Sequence, residues 1–259
     1  MRLTFLGTGT STGVPVIGCM CDVCTSSNPR NKRLRTSALL EVAGLTILID
    51  AGPDLRQQAL AVGMSHLDAV LITHTHADHI AGLDDIRPLN FRQKAAIPLY
   101  GTRPTLYDIQ KRFDYAFANL SEGSTRPSLE LTEINPTEPF MIGSVTIRPL
   151  PIQHGTWAIT GYQIGRLGYV TDANVIPPES QEHLRNLDVL VLNALRAEPH
   201  PTHFSIAEAV DIITNLNPRR AFLVHMNHQV DYATTNCTLP EHIQLAYDGQ
   251  VVDIEDTYE

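Results

Sequence analysis

The sequence is poor in basic residues: 19 lysines and arginines stand against 28 aspartates and glutamates, and lysine occurs only three times. With a formal net charge of −9, this chain of 259 residues should repel a polyanion, so a nucleic-acid partner is not expected. No apolar run approaches the roughly 20 residues that span a bilayer, and residues 1–7 predict a short strand, not a secretion signal. We therefore expect a cytoplasmic protein without a membrane partner.

Cysteine is also scarce, and three of the four cysteines lie within six residues, at Cys19, Cys21 and Cys24. This spacing is too crowded for a usual disulfide framework but suits a metal site. Glycine and proline are present in ordinary amounts and 43% of the residues are hydrophobic. These values exclude collagenous and disordered chains.

Strand-like and helix-like segments alternate along the chain, which predicts an α/β fold. Two β-rich runs, 36–42 and 45–50, meet at Ala43-Gly44 and predict a hairpin. A capping box that begins at Ser205 predicts a helix to about Leu216. No segment has the composition of a linker, so a single domain is expected.

Three histidines and an aspartate are crowded into six residues directly after a short buried strand, 69–72. They are His74, His76, Asp78 and His79. His74 and His76 are alternate residues that point the same way if the strand continues, and the other two follow on the next turn. Imidazole and carboxylate ligands suit zinc, manganese or iron. The cluster therefore predicts ligands for two neighbouring metals.

Three further coordinating residues, His154, Asp172 and His225, each follow a predicted strand. α/β proteins tend to assemble their sites where strands end. A carboxylate has two oxygens that can each bind a metal, so Asp172 is a candidate for a bridging ligand.

This order of ligands resembles the metallo-β-lactamase superfamily. The resemblance implies a four-layer αββα sandwich, formed as one hydrolase domain over residues 1–259. It also implies the division of the ligands: His74, His76 and His154 would hold one metal, Asp78, His79 and His225 the other, with Asp172 bridging. The fold hosts many hydrolases, so the resemblance alone does not specify the reaction.

The three clustered cysteines and His228, three residues after His225, complete a Cys₃His set typical of structural zinc. Such a site would attach a zinc-binding loop, at about 15–35, to the turn that carries His225. The pattern is similar to the phosphodiesterases of the carbon–phosphorus lyase pathway, which act on phosphoribosyl 1,2-cyclic phosphate. The glycine-rich opening, 6–15, also resembles this branch; it lacks the Gly-Lys-Ser/Thr ending of an ATP-binding loop.

Two histidines, His200 and His203, precede the capped helix. In related phosphodiesterases and tRNA 3′-processing enzymes a histidine at this place protonates the leaving oxygen. His203 matches that position best, and His200 is the alternative. The resemblance implies two active-site metals, zinc or manganese, which activate a bridging hydroxide that Asp78 helps to orient. The expected reaction is hydrolysis of a small, cyclic phosphodiester to a phosphomonoester.

Other functions remain open at this point. A tRNA 3′-end processing endonuclease shares the ligand order but needs a basic arm, and no lysine-rich insertion is present. A non-catalytic binding protein should have lost a ligand, and a redox or metal-sensing module would leave the histidines unexplained. Homodimers are common among such relatives, so a dimer is implied as well. The basic run 30–35 is interpreted as a solvated face rather than a phosphate contact.

Overall fold

Residues 1–118 and 125–255 are described by a computed structural model; the remaining residues of the predicted domain, 119–124 and 256–259, lie outside the described residues. The first of two seven-stranded sheets has the strand order β14-β1-β2-β3-β4-β5-β6. These strands are β1 (Arg2–Gly7), β2 (Ser37–Val42), β3 (Leu45–Ile49), β4 (Ala69–Leu71), β5 (Ile97–Gly101), β6 (Leu129–Glu133) and β14 (Val251–Asp253). Strands β3 to β6 run parallel, and the other pairs are antiparallel.

The second sheet has the order β13-β12-β11-β10-β9-β8-β7. Its strands are β7 (Phe140–Ile142), β8 (Val145–His154), β9 (Trp157–Ile164), β10 (Leu167–Val170), β11 (Val189–Asn193), β12 (Arg220–Val224) and β13 (Ile243–Leu245). Strands β10 to β13 are parallel, whereas β7 to β10 form an antiparallel meander. Each sheet thus combines a parallel part, whose strand ends lie at one edge, with an antiparallel part.

The helices of the described ranges are mostly short. They are α1 (Asp22–Thr25), α2 (Leu55–Ala61), α3 (Ala77–Ile80), α4 (Arg87–Gln93), α5 (Arg103–Arg112), α6 (Asp114–Phe117), α7 (Pro178–Leu184), α8 (Ile206–Leu216) and α9 (Tyr232–Asn236), with 3₁₀ turns at Pro29–Asn31 and Leu83–Ile86. Within these ranges, no helix has the length and apolar character needed to cross a membrane.

Alternating side chains place one apolar face of each sheet against the other sheet. Phe5 and Leu71 of the first sheet and Tyr162 and Phe222 of the second belong to this central cluster. A second cluster packs α7 and α8 on the outer face of one sheet, and a third packs α2 and α5 on the other. The layers are therefore helix, sheet, sheet and helix, and the expected αββα sandwich is confirmed.

The local predictions are confirmed where local chemistry decides the structure. Ala43 and Gly44 both have positive φ, 49° and 77°, as a two-residue hairpin turn of type I′ requires. The Ser205 hydroxyl accepts from the backbone N–H of Glu208, and the Glu208 carboxylate accepts from the N–H of Ser205, which completes the capping box at the start of α8.

The interpretation of the basic run as a solvated face is wrong for one of its members. Arg33 is only 1% exposed, and its guanidinium donates to the carbonyl of Asn227 and to the side chain of Asn31. Asn31 in turn donates to Asp231 (2.7 Å) and accepts from the backbone N–H of Tyr232 (2.8 Å). The N-terminal loop is therefore attached to the segment after β12 by side chains that are not cysteines.

A tight contact between two loops positions the 74–79 segment. The N–H of Ala51 donates to the carbonyl of His79 (2.7 Å), and the N–H of Gly82 donates to the carbonyl of Ala51 (2.8 Å). A Cβ on Gly52 would overlap the carbonyl oxygen of Asp78, and one on Gly82 would overlap the carbonyl of Gly52. Only glycine at both positions allows the backbones to approach this closely.

Gly52→Ala should therefore destabilise the protein by about 1–3 kcal/mol, the usual cost of overpacking, and lower the metal content. The physical reason is that α3 must shift, and α3 carries Asp78 and His79. Thermal unfolding and elemental analysis would measure both effects. The exposed Gln57→Ala on α2 is the matched control. An unchanged metal content in Gly52→Ala would show that this contact does not position the ligands.

Candidate metal centre

The first group of potential ligands comprises His74, His76, His154 and Asp172, whose donor atoms all lie within 4.8 Å of one another. The Nε2 atom of His74 is 3.0 Å from Nδ1 of His76 and 3.9 Å from Oδ2 of Asp172. These residues come from the segment after β4, from the end of β8 and from the residue two positions after β10.

The second group comprises Asp78, His79, Asp172 and His225, again with donor atoms within 4.8 Å. The Nε2 atom of His79 is 3.3 Å from Oδ2 of Asp78 and 3.3 Å from Oδ1 of Asp172. Nδ1 of His225 is 3.2 Å from the same Asp172 oxygen. Asp172 thus belongs to both groups and turns one oxygen to each, which is the arrangement that a bridging ligand requires.

Buried His79 carries an observation that fits a metal. Its ring is fully buried, and Nδ1–H donates to Asp50 at 2.7 Å. Among the residues that the structure describes, Nε2 has no hydrogen-bond partner. A buried polar atom without a partner costs free energy, and native structures rarely leave one. A divalent cation between His79, Asp78 and Asp172 would satisfy this nitrogen.

Hydrogen bonds behind the ligands orient two of the imidazole rings. Asp50, which accepts the hydrogen bond from His79, also accepts hydrogen bonds from the backbone N–H and the hydroxyl of Thr73, both at 2.8 Å. The Nδ1–H of His154 donates to the carbonyl of Thr202 at 2.8 Å. Such contacts fix the tautomer of a ligating histidine and leave its other nitrogen free for a metal.

Three residues at the site have left-handed backbones. Asp50 after β3, Asp172 after β10 and His225 after β12 have φ angles of 61°, 58° and 61°. Non-glycine residues seldom adopt positive φ, although Asp and His do so more often than most. Each conformation turns the chain sharply at the end of a strand, so the strain falls at the residues that form the centre.

The pKa values indicate which protons a metal must displace. Burial lowers the pKa of His74 well below its usual range and that of His225 to about 4, so both rings are neutral at pH 7. Burial opposes the charge on Asp172, but the neighbouring His225 and His79 outweigh it and hold its pKa very low. Burial likewise opposes a charge on His79, yet Asp172 and Asp50 raise its pKa well above 6.5. Metal binding would therefore release a proton from His79.

Of the two candidate acids, His203 lies at the centre. Its Nε2 is 3.3 Å from Oδ2 of Asp172, and its ring stacks on that of His225 with centroids 5.0 Å apart. Its Nδ1 is 2.9 Å from the hydroxyl of Thr202. His200 lies behind it, with its Nδ1 3.3 Å from Nδ1 of His203. Burial, and then the proximity of His203, lower the pKa of His200.

A cavity of about 400 Å³ opens over both groups. It is lined by Ser11, His76, Asp78, His154, Gly155, Thr156, Trp157, Asp172, Thr202, His203 and His225. Ser11 belongs to the glycine-rich opening of the chain, so that opening borders the cavity.

The cysteine cluster forms separately, around His228. Sγ of Cys19 and of Cys21 are 3.3 and 3.5 Å from Nδ1 of His228, and the donor atoms of all four residues lie within 4.8 Å of one another. The N–H of Val16 donates to Sγ of Cys24. Hydrogen bonding from the Cys24 amide is the main reason that the pKa of Cys21 falls to about 6, which favours the thiolate that a metal binds.

The fourth cysteine lies apart from this cluster. Cys237 caps the end of α9, is exposed, and donates to the carbonyl of Thr234 at 3.0 Å.

A family profile described as a β-lactamase superfamily domain matches residues 46–226, which hold all seven residues of the two groups, from His74 to His225. The profile thus spans every potential ligand of the centre. The chain belongs to the metallo-β-lactamase superfamily.

One solved structure combines a high sequence identity with similarity along almost the whole chain. It is the crystal structure of a diphosphatase from the PhnP family, 42% identical, with a TM-score of 0.91 and 97% of each chain covered. Zn²⁺-bound PqqB from Methylobacterium extorquens is 19% identical with a TM-score of 0.78, over 98% of this chain and 100% of that one, and shows the fold alone.

One curated relative has a name unlike that of the diphosphatase and is longer than this chain. The octanoyltransferase of Porphyromonas gingivalis (strain ATCC BAA-308 / W83) is 42% identical over 252 residues, which are 96% of this chain and 51% of that protein. The present chain thus spans about half the length of this relative, whose name describes a protein about twice as long.

Two residues of the site have no role in the sequence analysis. Asp50 follows β3 directly, so the strand-end argument that selected Asp172 and His225 also applies to it. Trp157 contacts the ring of His76, with centroids 4.6 Å apart. The spacing of Trp157 and His76 along the sequence does not indicate this contact, because β9 and the segment after β4 meet only in the folded chain.

Because Asp172 belongs to both groups, Asp172→Ala should lose one or both metals of the centre after loading with Zn²⁺ or Mn²⁺. His154→Ala, which removes a member of the first group only, should lose one. Elemental analysis per chain measures the difference. His183→Ala, an exposed histidine of α7, is the control. A full metal content in Asp172→Ala would contradict the shared carboxylate.

The lowered pKa of Cys21 gives a second prediction, for protein stripped of metal. Alkylation by iodoacetamide needs the thiolate, so labelling of Cys21 should accelerate as pH rises through about 6. Tandem mass spectrometry of the labelled peptide would measure the midpoint, and Cys21→Ser should abolish that phase. A midpoint near the ordinary thiol value of ~8.5 would refute the assignment.

Proposed function

We propose that this chain is a metal-dependent hydrolase that cleaves a small phosphodiester to a phosphomonoester, with a cyclic phosphodiester as the expected substrate. The observation that carries the proposal is Asp172, which contributes one oxygen to each ligand group while His203 stands 3.3 Å from its Oδ2. The similarity to the PhnP-family diphosphatase supports phosphorus–oxygen bond cleavage.

Two divalent metals, zinc or manganese, would lower the pKa of water and neutralise charge on the phosphoryl oxygens. The residues of the chain supply the rest. Asp78 is 7% exposed and lines the cavity, where its carboxylate can orient the attacking water. Asp50 keeps the His79 ring in place from the side opposite to the cavity. A third metal, a structural zinc, would occupy the Cys₃His cluster.

We assign the leaving-group proton to His203. Its Nε2 faces Asp172 and the cavity, while Thr202 and His200 hold its Nδ1 side. A phosphodiester with an alkoxide leaving group needs such a donor, because the alkoxide leaves poorly without a proton. His200 is the poorer donor, since its lowered pKa keeps it neutral at pH 7 and the ring of His203 lies between it and Asp172. Its role is to position His203.

The volume of the cavity and the net charge of the protein favour a small substrate over RNA. A cavity of about 400 Å³ suits a small molecule. The net charge of −9 opposes the phosphate contacts on which RNA affinity depends.

A second candidate reaction is hydrolysis of a diphosphate, favoured by the 42% identical diphosphatase. The two reactions differ in their leaving groups. A phosphate leaves readily without protonation, whereas an alkoxide does not, so only the phosphodiesterase requires His203 as an acid. The dependence on His203 therefore distinguishes the two.

His203→Ala should slow hydrolysis of an alkyl cyclic phosphodiester by about 10²–10⁴-fold, the usual contribution of a general acid. It should have much less effect on bis-p-nitrophenyl phosphate, whose leaving group needs no proton. Initial rates on both substrates, and on a dinucleoside diphosphate, measure the contrast. His200→Ala should give a smaller loss with the same substrate preference.

Three results would contradict these assignments. Selective loss in His200→Ala with full activity in His203→Ala would transfer the acid to His200. Cleavage of the diphosphate alone would replace the phosphodiesterase by the diphosphatase. Efficient cleavage of pre-tRNA would restore the RNA-processing alternative.

A further inference from the structure

Trp157 is the only tryptophan of the chain and lines the cavity. It is the first residue of β9, and its backbone pairs with that of His154 at the end of β8. Gly155, with a φ of 60°, allows the two-residue turn between them. The β-ladder and this turn thus fix the indole beside the metal ligands.

The indole lies against another ring, and nearly half of the residue is exposed. The ring lies against His76, with centroids 4.6 Å apart and planes inclined by 38°. Nevertheless, 45% of the residue is exposed to solvent. Large aromatic residues are usually mostly buried, and exposed ones at a cavity commonly contact a ligand.

Shielding of His76 is the simpler explanation for this contact, but it accounts only for the covered face. The remaining surface borders a cavity whose other lining residues are histidines, carboxylates, hydroxyls and one glycine. Among the described residues that line the cavity, the indole is therefore the one large apolar surface available to a substrate. A nucleotide base can stack on such a ring whichever of the bases it is, because every base is planar and has a π-face.

We propose that Trp157 forms a stacking subsite for a planar ring, so that the phosphodiester hydrolysed at the metal centre is a nucleotide. This inference rests on the proposed function for the reaction, but the binding it requires can be measured without turnover. The hydroxyls of Ser11 and Thr156 line the same cavity and offer hydrogen bonds to the sugar between base and phosphate.

The kinetic test compares a cyclic phosphodiester that carries a base with one that carries none: 2′,3′-cyclic AMP and glycerol 1,2-cyclic phosphate. Trp157→Ala should raise KM for 2′,3′-cyclic AMP by about tenfold or more, as the loss of one stacked base implies. KM for the glycerol compound should hardly change. Trp157→Phe should restore most of the affinity, and Tyr107→Ala, an exposed aromatic of α5 outside the cavity lining, should match the wild type.

The binding test uses the fluorescence of the wild-type protein, which comes from Trp157 as the single indole. AMP should quench it with saturation, whereas ribose 5-phosphate should bind at least about tenfold more weakly. Calorimetry should show that Trp157→Ala binds both compounds with similar affinity.

Each remaining outcome counts against the subsite or against the reaction. Equal increases of KM for both substrates would show that Trp157 only supports His76 and would overturn the subsite. Equal affinity of the wild type for AMP and ribose 5-phosphate would do the same. Failure to hydrolyse either cyclic phosphodiester would refute the proposed function, and the AMP to ribose 5-phosphate ratio would then decide the subsite alone.

Discussion

The buried carboxylate of Asp172 is the constraint on which the site depends. It is 2% exposed, and the nearest rings are the imidazoles of His74, His79, His203 and His225. A buried anion is stable only when cationic or metal partners surround it. Both proposed reactions therefore depend on this carboxylate, because each of its oxygens belongs to a different ligand group.

The two sheets form the site by bringing the ends of several strands together. β4, β10 and β12 each end shortly before a ligand, and β8 ends on one. The rigid central core holds these ends in place. The left-handed backbones of Asp50, Asp172 and His225 then turn the side chains into the centre. At these three positions the strain falls on residues whose geometry the surrounding strands already determine.

The segment after β12 connects the two metal-binding clusters. It carries His225 of the active centre and His228 of the cysteine cluster within four residues. Asn31 and Arg33 attach the N-terminal loop to the same segment without any metal. These contacts would hold the loop, and with it the glycine-rich opening that borders the cavity, whether or not the cysteine cluster binds a metal.

Much of the fold and of the site could be predicted because the deciding signals are local. The capping box of α8 and the hairpin at Ala43-Gly44 depend on neighbouring residues only. The ligand candidates could be found because each follows a strand, although the superfamily resemblance supplied their division between two metals. The burial of Arg33 could not be predicted, since a run of charges has the same composition whether or not a distant segment covers it.

The sequence alone determined which residues can bind metal, where the hairpin at Ala43-Gly44 turns and where α8 begins, because residue chemistry and hydrophobic periodicity act over a few positions. Only the tertiary structure decided that Asp172 lies between both groups, that His203 rather than His200 faces the cavity, and that Trp157 covers His76. Those choices depend on contacts such as His203–Asp172, His76–Trp157 and His74–Asp172, which join residues 31, 81 and 98 positions apart. Chain packing decides such contacts, not spacing along the sequence.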